Sequence, residues 1–331
     1  MPRNETLRRR ETHPFAFCAA VMVFVLLSGV RAQAQSRLAQ FTDEVGRPVD
    51  VRTDVRRIVS LAPNLTEIVF ALGLGDRLVG DTTFCDYPPE AAQKPHVGGP
   101  VNPSLEQIAA LTPDLILASK GINRRETVDA LARLGLPVYV TDPRSVEDMV
   151  SSMERLGSVL QAEGAAAPLV KGLRERLEKL DRILAGVPPR RVFFVVWTAP
   201  LISVGRGTFL ADALRRAGAH SVVDATADWP PVSLEEIALL DPEFLVFANA
   251  NSAEAEEQIE ELRARPGWRD LEAMRRGNTI ILSDAINRPA PRLVDAMEQL
   301  ARALHPEVFA PHGAPSSGAA HASEEACPCA R

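Results

Sequence analysis

The side chains best suited to chemistry in this sequence are three wide amphipathic rings, Tyr87, Trp197 and Trp229. The chain uses Trp three times and Tyr twice, so most of its rings of this kind fall in segments that read as loops. Phe84, Arg124, Arg206, Asp284, Asn287 and Arg288 lie in or beside such loops. Flat apolar faces with a few polar groups suit capture of a large, planar, partly polar ligand. Trp229, between Asp228 and Pro230-Pro231, is expected to face solvent. For Trp197, directly after a strand, packing and solvent-facing placements are both open. A second constellation is Glu106 and Glu235, each two residues after a Ser placed to cap a helix. The helix dipole favours an acid in the first turn, and that alone accounts for either residue taken singly.

The pair gains meaning from a repeat. Ser104–Leu117 (SLEQIAALTPDLIL) lies against Ser233–Val246 (SLEEIALLDPEFLV), and seven of the fourteen positions are identical. An internal repeat on this scale implies two related lobes, and thus two acidic knobs suited to a partner with matching two-fold basic sites. Enzyme readings find no support: no nucleophile elbow, zinc-protease, C-x-x-C, Walker or dinucleotide-binding glycine pattern occurs. Gly205-Arg206-Gly207 lacks a third glycine. His96, His220 and His305 are far apart in sequence, so no resident metal or cofactor is expected.

The elements that would position these residues alternate. Phe41–Val51 reads as a hairpin turning at Glu44–Pro48. The first lobe follows with strands at Arg57–Leu61, Leu78–Gly80, Leu115–Ala118 and Val138–Val140, and helices at Thr66–Leu72, Ser104–Leu111 and Arg124–Leu134. The second shows strands at Arg191–Val196, Phe244–Phe247 and Thr279–Leu282, and helices at Phe209–Ala217, Ser233–Leu240 and Gly267–Met274. This order predicts an α/β fold of two Rossmann-like lobes, each a parallel sheet flanked by helices. Val146–Leu184 is helical for most of its length, with Gly164 and Pro168 marking a break. Leu169, Leu173, Leu177, Leu180 and Leu184 then form one apolar stripe. That last helix predicts a rigid strut between the lobes, with the ligand cleft at the carboxyl ends of the strands.

Composition fits a globular chain of 331 residues: 46% hydrophobic, 24% charged, 5% aromatic. A net charge of −6 argues against nucleic acid as a partner. Residues 1–34 carry basic Arg3, Arg8, Arg9 and Arg10, an apolar run from Phe15 to Val30, and Ala32-Gln33-Ala34. That is the pattern of a cleaved secretory signal, and the run is short for a span of about 20 residues. The expected division is a signal at 1–34, an N-terminal lobe at 35–143, a helical linker at 144–187, a C-terminal lobe at 188–309 and a disordered tail at 310–331. Cys85, Cys327 and Cys329 do not make a disulfide framework.

Cys85-Asp-Tyr-Pro-Pro89, Ser104-Leu-Glu-Gln-Ile108 with Pro113-Asp114, Asp228-Trp-Pro-Pro-Val-Ser233 and Asp284–Arg292 (DAINRPAPR) carry a resemblance. Over about residues 55–305 the chain is similar to the ABC-importer substrate-binding proteins for corrinoids, haem and iron-siderophores, and among them to the periplasmic cobalamin binders. The resemblance implies a non-catalytic, monomeric periplasmic receptor for a cobalamin-like corrinoid, with haem or a ferric siderophore as the alternative ligand. It implies ligand contacts for Tyr87, Trp229, Asp284 and Arg288. It implies docking of Glu106 and Glu235 on the permease dimer of an inner-membrane ABC transporter. Two further cleft tryptophans of the cobalamin binders align with Pro100 and Ser119, and their disulfide cysteines align near Ala217 and Ala301, so pocket wall and staple both differ here.

Overall fold

The computed structural model describes residues 37–249 and 251–310. The expected signal at 1–34 lies outside these residues, as do Cys327, Cys329 and the expected tail beyond Ala310.

The chain opens with an antiparallel hairpin, β1 (Leu38–Thr42) and β2 (Pro48–Arg52), pairing Leu38 with Arg52. It extends beyond the expected Phe41–Val51 because the Asp43 carboxylate closes the turn, accepting hydrogen bonds from the Val45 and Arg47 N–H groups. The first lobe follows: β3 (Ile58–Ser60), α1 (Pro63–Ala71), β4 (Leu78–Gly80), α2 (Leu105–Ala110), β5 (Leu115–Ser119), α3 (Arg125–Arg133) and β6 (Val138–Thr141). Its strands lie in the order β4-β3-β5-β6, all parallel. All five β5 residues and all four of β6 are buried, as expected for a parallel sheet covered on both faces.

Two helices join the lobes, α4 (Val146–Val159) and α5 (Glu163–Leu184). The second lobe contains β7 (Arg190–Val195), a small hairpin of β8 (Trp197–Thr198) and β9 (Leu201–Ile202), α6 (Phe209–Arg216), β10 (Ala219–Ser221) and α7 (Leu234–Leu240). It continues with β11 (Phe244–Ala248), α8 (Ser252–Ala264), α9 (Glu272–Arg275), β12 (Thr279–Leu282), α10 (Leu293–Leu304) and α11 (Pro306–Phe309). The order β10-β7-β11-β12 is again all parallel. Each lobe therefore places its second strand at the edge, then its first, third and fourth.

The duplication extends to details that sequence alone does not display. Ser104 and Ser233 cap α2 and α7 by accepting from the N–H groups of Gln107 and Glu236. Both helices are followed by a non-glycine residue in the left-handed region, Thr112 (φ 42°) and its repeat counterpart Asp241 (φ 43°). Arg57 donates to the Leu111 carbonyl and Arg191 to that of Leu240, tying each helix end to the first strand of its lobe. The Asp114 N–H bonds the Arg57 carbonyl just as the Glu243 N–H bonds that of Arg191.

Two expectations change and one helix is added. The helical linker breaks at Gln161 (φ 54°), not at Gly164 or Pro168, and Pro168 lies inside α5. Pro168 and Gly164 are both exposed, so the carbonyl deprived of its helical partner can turn to water. The helix expected at Gly267–Met274 shrinks to α9, because Gly267 adopts φ +85° and the chain turns there. Between β11 and α9 runs α8, whose acid-rich sequence buries only Ala255, Ile259 and Leu262.

The apolar stripe of α5 is packed along its length. Val170, Leu173, Leu177 and Leu180 belong to one buried cluster that also holds Val51 and Ile58 of the first lobe and Val192, Leu210 and Leu300 of the second. At about 1.5 Å per residue, the 22 residues of α5 span roughly 33 Å. Arg176 pairs with Asp295 and Glu298 of α10, Arg216 of α6 with Asp181. The helix is thus a strut bound to the second lobe and to α4 rather than a free rod.

Candidate functional site

In each sheet the strand order reverses between the first and third strands, and in open α/β sheets ligands bind outside the carboxyl ends at such a point. In the second lobe this crevice is open. Val195 and Phe247, at the ends of β7 and β11, line a cavity of about 230 Å³ with Trp197, Asn249 and Gln258. In the first lobe Asn123 fills the equivalent place. Its carbonyl accepts from the Ser119 N–H at 2.7 Å, and its amide donates to the Leu61 and Pro100 carbonyls, each at 2.8 Å. One buried side chain therefore fixes three of the loops around the crevice.

Only four Phe, Tyr or Trp side chains among the described residues are exposed: Phe84 (62%), Tyr87 (43%), Trp197 (61%) and Trp229 (43%). All four lie on segments leaving the carboxyl ends of strands. Phe84 and Tyr87 follow β4, Trp229 follows β10 and Trp197 follows β7. Since β4 and β10 are the edge strands at matching positions, the two lobes present rings from equivalent loops. Trp197 is solvent-facing, its indole N–H donating to the Ala199 carbonyl at 2.9 Å. The Trp229 loop is held firmly. The Gly205 and Arg206 N–H groups bond the Asp228 and Ala225 carbonyls, and a Cβ on Gly205 would lie 1.8 Å from the Ala227 oxygen. Arg144, just before α4, grips the Asp228 carboxylate with both terminal nitrogens at 2.9 and 2.8 Å.

Asp284 and Arg288 belong to a charged cluster joining the lobes. Glu67, on α1, is buried, and both its carboxylate oxygens are engaged from the second lobe. One accepts from Arg288 at 3.0 Å and Arg292 at 2.7 Å, the other from the Arg292 Nε at 2.9 Å. Arg288 also meets Asp86 at 2.6 Å and Asp284 at 2.6 Å. The Arg292 guanidinium lies 3.7 Å from the centre of the Tyr87 ring, a cation–π distance. Burial works against the charged form of Arg288, but hydrogen bonds to Asp86 and Glu67 and the charge of Asp284 outweigh it, and its pKa is raised. The hydrogen bond from Arg288 holds Asp86 below the usual carboxylate range. Tyr87 and Arg292 also line a cavity of about 560 Å³ that reaches Phe70 and Lys94.

Glu106 and Glu235 are exposed in the first turns of α2 and α7. The connection carrying Tyr87 runs into α2 and the one carrying Trp229 runs into α7, so each lobe delivers a ring and then an acid along one segment.

The structure brings Tyr87, Asp284 and Arg288 into one cluster through Asp86 and Arg292. Trp229 stands apart from it and is tied instead to Arg144 through its neighbour Asp228. Sequence reasoning did not find Glu67; its signal was a lone carboxylate between apolar Leu65, Ile68 and Val69. Among the described residues no group of His, Cys, Asp or Glu gathers to hold a metal ion, and no helix is long and apolar enough to cross a membrane. Cys85 is a free, buried thiol beside the Thr66 and Thr82 hydroxyls, and burial pushes its pKa up.

Comparison with known proteins agrees with this architecture. The family model described as "Periplasmic binding protein" matches residues 58–285. The vitamin B12-binding protein of Yersinia pestis (strain Pestoides F) is 30% identical over 249 residues, covering 75% of this chain and 86% of that protein. Among solved structures, the periplasmic vitamin B12 binding protein BtuF of Vibrio cholerae superposes with a TM-score of 0.68 at 28% identity, covering 76% of this chain and 96% of that one. A periplasmic heme binding protein from Pseudomonas aeruginosa gives 0.69 at 27% identity, with 76% and 94% covered. With matching lobes and a family model over most of its length, this chain belongs to the periplasmic binding protein family.

Proposed function

We propose that the protein is the periplasmic receptor of an ABC importer, capturing a cobalamin-like corrinoid between its lobes and delivering it to an inner-membrane permease. The observation that carries this reading is the aromatic distribution: every exposed Phe, Tyr or Trp ring among the described residues sits on a segment that leaves the carboxyl end of a sheet strand. Rings such as these offer apolar contact to a broad macrocycle while losing little conformational freedom. Tyr87 and Trp229 supply the flat contacts from opposite lobes. Asp284 accepts hydrogen bonds from amide N–H groups of the ligand. Arg288 donates through whichever of its five N–H groups its carboxylate neighbours leave free. The ligand is cargo, and no cofactor takes part.

Glu106 and Glu235, exposed on equivalent helices, dock on basic sites of the two permease subunits. Residues 1–34 act as the export signal, and the mature chain works as a monomer in the periplasm, with lobes at 35–143 and 188–309 around the linker 144–187. Haem is the competing ligand, favoured by the similar fit to a heme binding protein. Three carboxylates around two arginines favour the amide-fringed corrinoid instead. Calorimetric titration of the exported protein with cyanocobalamin, haemin and a ferric siderophore tests the assignment. One-to-one binding of cyanocobalamin at micromolar or tighter affinity is expected; binding of haemin alone rejects it.

A further inference from the structure

Resting on the reading that the cleft takes a macrocycle, we infer that Glu67, a nearly fully buried residue, determines which charge class of macrocycle the cleft admits. Its side chain is 2% exposed and comes from the first lobe, yet it engages two arginines of the second-lobe segment that follows β12. Each guanidinium is therefore directed inward. Arg288 is shared among Glu67, Asp86 and Asp284, and Arg292 lies between Glu67 and the Tyr87 ring. Three carboxylates against two guanidiniums leave the cluster with one net negative charge. The Asp86 side chain is 58% exposed while that of Arg288 is 15% exposed, so an entering ligand meets the acid before the base.

A ligand bearing carboxylates then faces two obstacles. To pair with either arginine it must displace a carboxylate already bonded, one of them buried where an unpaired charge is costly. It also meets a like charge, which a partly desolvated site screens poorly. A ligand fringed with uncharged amides meets neither obstacle and finds carboxylate oxygens ready to accept its N–H groups. Glu67 acts here as a positioning residue, through Arg288 and Arg292.

The test compares cyanocobalamin, whose periphery is mostly amide, with haemin, which carries two carboxylates. Calorimetric titrations at low ionic strength use purified wild type, Glu67→Gln, Asp86→Asn and the double variant Glu67→Gln/Arg292→Gln. Each single variant removes one negative charge and is expected to raise haemin affinity relative to cyanocobalamin on the order of tenfold. The double variant restores the cluster's net charge and is expected to return the ratio to within about threefold of wild type, which loss of a purely structural contact would not do. Asp86 is exposed, so Asp86→Asn gives the answer even where Glu67→Gln fails to fold. Ratios unchanged in the single variants, or a double variant as shifted as Glu67→Gln, overturn the assignment of Glu67 while leaving the receptor reading intact. A wild type that binds neither probe overturns the receptor reading, and the role of Glu67 with it.

Discussion

Replacing Trp229 with Ala isolates the contribution of one ring to capture. The residue is 43% exposed. A Trp side chain offers about 150–250 Å², so roughly 65–110 Å² of ring surface stands ready for a ligand. At about 25 cal/mol per Å² this corresponds to about 1.6–2.7 kcal/mol, and stacking geometry adds about 0.5 kcal/mol or more. The expected loss is about 2–3 kcal/mol, or roughly 30- to 150-fold in Kd. The loop backbone is fixed independently, by the bonds to Gly205 and Arg206 and by the Arg144–Asp228 pair, so the truncation removes the ring without releasing the segment. Calorimetric titration with cyanocobalamin reads the affinity, and a thermal melt shows that the fold persists. A variant that melts like wild type and binds within threefold of it would refute the idea that this ring contacts the ligand.

Other perturbations separate the remaining parts of the account. Glu106→Arg with Glu235→Arg is expected to leave cyanocobalamin affinity unchanged while abolishing uptake in a reconstituted transport assay; persisting uptake contradicts the docking role. Arg144→Ala removes the side-chain clamp on the Trp229 loop and should weaken capture several-fold with little change in melting temperature, since an exposed ion pair contributes only about 0.2–1 kcal/mol to stability. The exchanged pair Arg144→Asp/Asp228→Arg should regain most of that affinity. Asp81 is fully buried against His96, and burial pushes its pKa up to about 6. The folded state then binds a proton where the unfolded state does not, so this group's contribution to stability rises as pH falls from about 6 towards 4. Melting curves of Asp81→Asn should lose that slope, an effect of about 2–3 kcal/mol at most; an unchanged slope assigns it to another group.

Much of the architecture could be read from local patterns. The buried runs of β5 and β7, the caps at Ser104 and Ser233 and the glycines closing helices are local signals, and the repeat of SLEQIAALTPD in SLEEIALLDPE disclosed the duplication. The α8 helix escaped because most of its surface is solvated and its apolar positions, Ala255, Ile259 and Leu262, are few and partly small. Thr112 and Asp241 escaped because their left-handed conformations are imposed by the strand that follows, where glycine is the usual signal. The rings at 87 and 229 were legible as loop aromatics, whereas Trp197 lies in the short strand β8. Their charged neighbours were not: Glu67 meets Arg288 and Arg292 across 221 and 225 residues of chain, and only closure of one lobe on the other creates that contact. A pair such as Arg144–Asp228 is equally invisible, because the turns that bring the partners together have no counterpart in the spacing.

The most direct test of the account is a crystal structure of the exported protein with cyanocobalamin bound. The expected map shows one corrin ring between the lobes, with Tyr87 and Trp229 against it and amide groups near Asp284. A ligand bound away from both rings, or a cleft left empty at saturating cyanocobalamin, contradicts it.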